Sequence, residues 1–157
     1  MNIRLAHLFD MPLLIHCWQS IDNITEVRPF GGDSEDKSVH AEIVLKHAMA
    51  SANAVVLVAT AEDGTIIGTI SGHTFEKPGV NISNVGVVYS LWVDGHYRCR
   101  GIGEQLLKKI ENALIVKGAQ AFQVGWDSGN ITAKKWWLKR GYAPYETIAS
   151  KLAAEAG

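Results

Sequence analysis

The chain has 157 residues, 47% of them apolar and 20% charged, with a formal net charge of −1 and two cysteines. That length suits one domain, 1–157, able to bury roughly 68–70% of its unfolded surface. Near-neutral charge excludes an electrostatic footprint for nonspecific binding to nucleic acid or an anionic membrane, and Cys17 and Cys99 are too few for a disulfide scaffold or a zinc site. The chain opens without a basic stretch leading into an apolar core, and no apolar run reaches ~18 residues. The expectation is a cytoplasmic protein with no membrane and no nucleic-acid partner.

Ile3 to Ala6 reads as a first short strand. Asp10 is positioned to cap a helix whose Leu13, Leu14, Cys17, Trp18 and Ile21 make a stripe of helical period. Residues 22–37, rich in Asp, Glu, Gly and Ser, read as a mobile loop, with Asp33, Glu35 and Asp36 as a solvated acidic stretch. Ser38 to Ala50 returns to helical spacing. His40 and His47 on that segment lack the further ligands of a metal site, and none is expected.

Val55 to Ala61 is a buried strand, Asp63-Gly64 a hairpin turn, and Thr65 to His73 its antiparallel partner. Val85 to Val93 follows as another strand. A helix from Ile102 to Gly118 carries Leu106, Leu107, Ile110 and Leu114 on one face. Ala121 to Trp126 is a strand, Asn130 caps a helix ending at Gly141, and Tyr145 to Leu152 reads as a last strand. The order β-α-α-β-β-β-α-β-α-β, with hairpins first and a strand–helix–strand unit later, implies an α/β protein with a mixed sheet flanked by helices.

The segment richest in chemistry joins the strand ending at Val93 to the helix starting near Ile102. Arg98-x-x-Gly101-x-Gly103 puts two guanidinium groups, those of Arg98 and Arg100, beside two residues without side chains at a helix N-terminus. The first helical N–H groups have no intrahelical acceptor, and the macrodipole adds partial positive charge. Glycines let an anion approach that backbone, so the site suits a phosphate or pyrophosphate. Cys99 in this loop reads as an incidental exposed thiol.

With the strand Leu91-Trp92-Val93 before that loop, and Asn130-x-x-Ala133-x-x-Trp136-Trp137-x-x-x-Gly141-Tyr142 after it, the chain resembles the GCN5-related N-acetyltransferase (GNAT) superfamily over nearly its whole length. The resemblance implies a GNAT-like fold: a central, mostly antiparallel mixed sheet with a splayed pair of parallel strands. It implies an acetyltransferase that uses acetyl-CoA as cosubstrate. Backbone N–H groups of Arg98, Cys99, Arg100, Gly101, Ile102, Gly103 and Glu104 would hold the pyrophosphate, the Glu104 carboxylate pointing away. Leu91 and Val93 would pair with the pantetheine amides, a main-chain N–H near Trp92 would polarise the thioester carbonyl, and Asn130 would contact the pantetheine end.

Two positions depart from the family pattern. Where a Tyr often protonates the departing thiolate, this chain has Trp137, whose indole is far too weak an acid and reads as a wall of the thioester site. Water, Tyr142, Tyr145 or direct release of the thiolate remain open. Where a Glu often acts as base, the chain has Tyr89-Ser90, which leaves Asp94, Asp127 and His73 as substitutes. The acceptor is expected to be a primary amine of a small molecule, peptide or protein, and a homodimer is left open. The competing reading is a non-catalytic acyl-CoA sensor or scaffold. A dinucleotide-binding oxidoreductase fails, because the hairpin-first order is no Rossmann start and no third glycine follows.

Overall fold

The computed structural model describes residues 1–24 and 34–155. In chain order the elements are β1 (Asn2–Leu5), α1 (Met11–Ile24), α2 (Ser34–Ala50), β2 (Ala54–Thr60), β3 (Ile66–Glu76), β4 (Asn84–Val93), α3 (Ile102–Val116), β5 (Ala121–Val124) and α4 (Ile131–Leu138). The strands form one sheet in the order β1-β2-β3-β4-β5, antiparallel except for the β4–β5 pair. This is the mixed α/β architecture expected from the sequence.

The sheet divides two apolar layers. On one face Ile70, Val88 and neighbours meet Leu106, Ile110 and Leu114 of α3, with Trp137 of α4. On the other, Val56, Val58 and Ile66 meet Leu14, Cys17 and Trp18 of α1 and Ala41, Leu45 and Ala48 of α2. Side-chain alternation along a strand sends successive residues to opposite layers. The α3 face of β3 is kept low: a Cβ on Gly68 or Gly72 would come to 3.0 Å from Leu106 or Leu114. The helix therefore lies close on the sheet.

The β2–β3 turn is built as Asp63-Gly64 suggested. Ala61 N–H donates to Thr65 O, Gly64 N–H donates to Ala61 O, and Gly64 takes φ +86°.

Three expectations need correction. Asp10 is not a simple N-cap of α1. It closes a 3-10 turn, Leu8–Asp10, and its buried carboxylate takes a bidentate ion pair from Arg4 (2.7 and 3.0 Å) and the His7 N–H (2.8 Å). Both ends of the expected 22–37 loop are helical, since α1 runs to Ile24 and α2 starts at Ser34, which takes in Glu35 and Asp36. No proline or glycine stands in either flank to stop a helix; residues 25–33, with Asp33, lie outside the described residues.

The third correction concerns the C-terminus. Tyr145 to Leu152 forms no strand: 143–152 is irregular and exposed, and only a 3-10 turn at Ala153–Glu155 follows. Pro144 has no N–H to give a ladder and holds Ala143 extended, so the chain leaves α4 without turning back onto β5.

Candidate active site

The parallel pairing of β4 with β5 covers only Val85–Val88 against Ala121–Val124. Beyond it, Tyr89, Trp92 and Val93 stay paired with β3, while among the described residues no strand pairs with this stretch on the β5 side. The two strands thus open into a cleft. At its apex β4 carries a bulge: Thr69 faces Trp92 and Ser71 faces Tyr89, so one residue of β3 opposes two of β4. Ser90 takes φ +53° there, a left-handed conformation uncommon for a residue with a Cβ. Bulges re-aim side chains and backbone next to sites.

β4 then runs through Asp94 into the 3-10 turn Gly95–Tyr97 and the Arg/Gly loop. Asp94 accepts from His96 N–H (2.9 Å), the main reason its carboxyl is held below the usual range. Arg98 Nε donates to Val93 O (3.0 Å), and among the described residues its two Nη groups make no bond. One carbonyl expected to face pantetheine is therefore shared with Arg98. Arg100 turns elsewhere and lies over the Tyr97 ring (5.3 Å), lining an open cleft of about 660 Å³ with Glu62, Asp63 and Gln105. The two arginines do not converge.

Cys99 (φ +59°) and Gly101 (φ +76°) curl the loop into the N-terminus of α3. No side chain caps that end; the first internal bond is Gln105 N–H to Gly101 O, which leaves the amides of Ile102, Gly103 and Glu104 as free donors. A Cβ on Gly103 would meet Trp136 Cζ2 at 3.3 Å, so this glycine also makes room for α4. The Glu104 carboxylate pairs with Arg140 (3.4 Å). Arg140 in turn lies 3.6 Å over the Trp136 ring and donates to Trp136 O. Trp136 and Arg140, one helical turn apart, are neighbours of the loop that the sequence reading missed.

On α4, Asn130 caps as expected, its side-chain oxygen accepting from Ala133 N–H (3.0 Å). Trp137 is 6% exposed and packs edge-on against Trp136 and Tyr142 within the α3-side core. The Tyr142 hydroxyl donates to Glu111 (2.8 Å). Burial first, then that bond, raise its pKa, so the phenol holds its proton. Glu111 lies nine residues past Ile102 on α3, about 13 Å along the axis.

The candidates for chemistry are not gathered into one cluster. Trp92 lies on the cleft strand and packs toward α1 and α2. His73 stands opposite Val87, four residues along β3 from the partner of Trp92, and its ring meets Tyr89 edge-on at 5.5 Å. Burial lowers its pKa, which favours neutral imidazole. Tyr89 also meets Trp18 of α1 at 6.2 Å. On this face the buried Trp18 Nε1 and Ser71 Oγ have no partner among the described residues. Asp127 follows β5 and its carbonyl accepts from Asn130 N–H. Cys17, nearby on α1, is inert: burial pushes its pKa to about 11.

Among the described residues no group of three or more His, Cys, Asp or Glu could hold a metal, and no helix is long and apolar enough to cross a membrane. No curated protein matches the chain by sequence. The fold has many solved counterparts. A predicted acetyltransferase from Clostridium acetobutylicum solved with acetyl-CoA superimposes with a TM-score of 0.81 at 16% identity, covering 98% of this chain and 97% of that one. A GCN5-related N-acetyltransferase from Ralstonia eutropha JMP134 gives 0.78 at 18% identity (97% and 98%). Glucosamine-6-phosphate N-acetyltransferase from Arabidopsis thaliana gives 0.69 at 18% (97% of each). At such identities these likenesses speak for the fold. The model of the acetyltransferase (GNAT) family matches residues 18–142, most of the sequence. Together with the split β4–β5 pair and the Arg/Gly loop at the start of α3, that match settles the family: the chain belongs to the GNAT acetyltransferases.

Proposed function

We infer that the protein is an N-acetyltransferase that moves an acetyl group from acetyl-CoA to a primary amine of a small molecule, peptide or protein. It would work as one domain, 1–157, in the cytoplasm and without a metal. The observation that carries this reading is a conjunction: the unpaired β4 edge from Tyr89 to Val93 leads directly into an uncapped helix N-terminus. The fit to acetyl-CoA is chemical. Free amides at 102–104 and the Arg98 Nη groups of the same loop suit a pyrophosphate, and an open strand edge suits the two amides of a pantetheine arm.

Acetyl-CoA supplies an activated acyl carbon and a thiolate that leaves readily. The residues of this chain bind, orient and manage protons. Leu91 and the remaining donors and acceptors of β4 hold the arm, and a main-chain N–H near Trp92 is aimed at the carbonyl oxygen, a role worth several kcal/mol when preorganised. Asn130, by capping α4, fixes the far wall of the cleft. His73 takes the amine proton, through Tyr89 or a water, because burial keeps its imidazole neutral. Tyr142 is withheld from the acid role by its bond to Glu111.

The competing reading, a sensor that binds acyl-CoA without turnover, draws on the replacement of the usual acid by a buried Trp137. One experiment separates them. The protein is titrated with acetyl-CoA in a calorimeter, then assayed for free thiol over a panel of amines. Binding with amine-dependent thiol release supports the transferase. Binding without release on any amine selects the sensor, and no binding overturns both.

A further inference from the structure

Glu104 is the third residue of α3, within the run of free amides at 102–104. The macrodipole draws a carboxylate on the first turn toward such amides, and a Glu at this position often reaches back to the N–H ahead of the helix, here that of Gly101. The same donors suit a phosphate. Glu104 is thus an anion tethered beside the place where an anionic ligand would sit. In the structure it turns aside: its Oε2 accepts from Arg140 Nη2 at 3.4 Å.

Arg140 is held by its neighbours on α4 and does not depend on Glu104 for its place. Its guanidinium stacks on the Trp136 ring at 3.6 Å, and Nη1 donates to Trp136 O at 3.0 Å. Trp136 in turn lies against Gly103. The Arg140 side chain is 21% exposed and its buried Nε has no partner among the described residues, whereas Glu104 is 68% exposed. The arginine is the fixed post and the glutamate the arm that swings. A partly desolvated cation also attracts a carboxylate more strongly than a fully hydrated one does.

We propose that Arg140 is a positioning residue for cofactor binding: it draws the Glu104 carboxylate away from the amides of α3 and so keeps the pyrophosphate place open. Without Arg140, Glu104 would turn back onto the helix N-terminus and repel the phosphates. This role presupposes the acetyl-CoA reading above and adds a residue that acts through Glu104 and not on the ligand. It accounts for a carboxylate in a loop suited to an anion, since the Glu104–Arg140 pair is neutral and Glu104 alone is not. It also accounts for the residue type. One planar fork serves the Trp136 carbonyl and the carboxylate at once, which a single ammonium does less well.

The test is a double-mutant cycle on the full chain, read by calorimetry with acetyl-CoA and with a phosphate-free pantetheine, on variants whose circular dichroism matches wild type. Arg140→Gln is expected to weaken acetyl-CoA about tenfold or more, and the pantetheine by no more than about twofold. Adding Glu104→Gln should restore acetyl-CoA to within about threefold of wild type, because the competing carboxylate is gone. In wild type the same Glu104→Gln change should gain much less, since Arg140 already holds that carboxylate aside. If Arg140→Gln does not fold, Arg140→Lys replaces it, with a smaller loss that Glu104→Gln must still abolish. A double variant as weak as the single one overturns the proposal and makes Arg140 a direct phosphate ligand. An equal gain from Glu104→Gln in both backgrounds also overturns it, for the two residues then act independently. Equal losses for both ligands, or no loss at all, do the same. Each of those results leaves acetyl-CoA binding standing, whereas a wild type that binds no acetyl-CoA removes both readings.

Discussion

A methyl group on Gly103 would stand 3.3 Å from Cζ2 of Trp136, whereas one on Gly101 would meet nothing within 4 Å. The two glycines of one motif thus answer to different constraints: Gly101 has φ +76° and Gly103 is a helical residue under an indole. At 101 a side chain is strained by about 1–2 kcal/mol, less for Asn, which tolerates the left-handed region. At 103 the strain is steric, and the better helix propensity of Ala offsets part of it. Thermal unfolding should therefore rank Asn above Ala at 101 and Ala above Asn at 103. The opposite order at either position would show that the constraint there has been misassigned.

Arg98 reaches back to Val93 O with Nε and keeps its Nη pair for a ligand. Arg98→Ala is expected to weaken acetyl-CoA by roughly 1.5–3 kcal/mol, the range for hydrogen bonds to charged groups. Affinity for a phosphate-free pantetheine should stay within a factor of two of wild type. Calorimetry with both ligands reads the difference, and equal losses would mean that Arg98 acts through the shape of β4.

The Tyr142–Glu111 bond makes a prediction about alkali. Burial, then Glu111, place the Tyr142 pKa above its ordinary value in the folded state. The folded protein therefore holds a proton that the unfolded chain releases above about pH 10. The resulting stability is complete below that point and is lost as pH rises further. Tyr89, also raised by burial, contributes in the same direction. Wild type should lose stability more steeply than Tyr142→Phe above pH 10, while near pH 7 the variant loses only the bond, about 1–2 kcal/mol. Parallel denaturation curves at the two pH values would show that Tyr142 ionises normally.

The legible parts of this molecule were local. Asp63-Gly64 names its own hairpin, the stripe Leu106–Ile110–Leu114 names the buried face of α3, and Asn130 names a helix start, because each signal acts within one turn or strand. The bulge at Ser90 was not legible. Val85 to Val93 is apolar but for Ser90, and one polar residue does not announce a bulge; the extra residue is imposed by β3 pairing across the sheet. Trp136 and Arg140 showed only a one-turn spacing, common on any helix, and it takes the docking of α4 on Gly103 to give it meaning. Tyr142 meets a carboxylate 31 residues away that no motif marks. Tyr145 to Leu152 alternates like a strand and forms none, because Pro144 offers no ladder N–H and alternation alone supplies no pairing edge.

Trp137 stands where the family often places a phenolic acid, and its burial at 6% exposure argues for packing. Its ring touches Trp136 and Tyr142 edge-on and closes the core over α3. Trp137→Ala should open a cavity and lose about 3–5 kcal/mol, whereas Trp137→Phe should remain folded with most of its turnover. Trp137→Tyr is the informative variant. If thiolate protonation limits the rate and the ring edge reaches the sulfur, the restored phenol should raise turnover and introduce an alkaline limb in the pH profile. If the thiolate simply departs, Tyr and Phe should behave alike. A folded Trp137→Phe protein that binds acetyl-CoA normally but turns over a hundredfold more slowly would refute the packing role and assign the indole N–H a catalytic hydrogen bond.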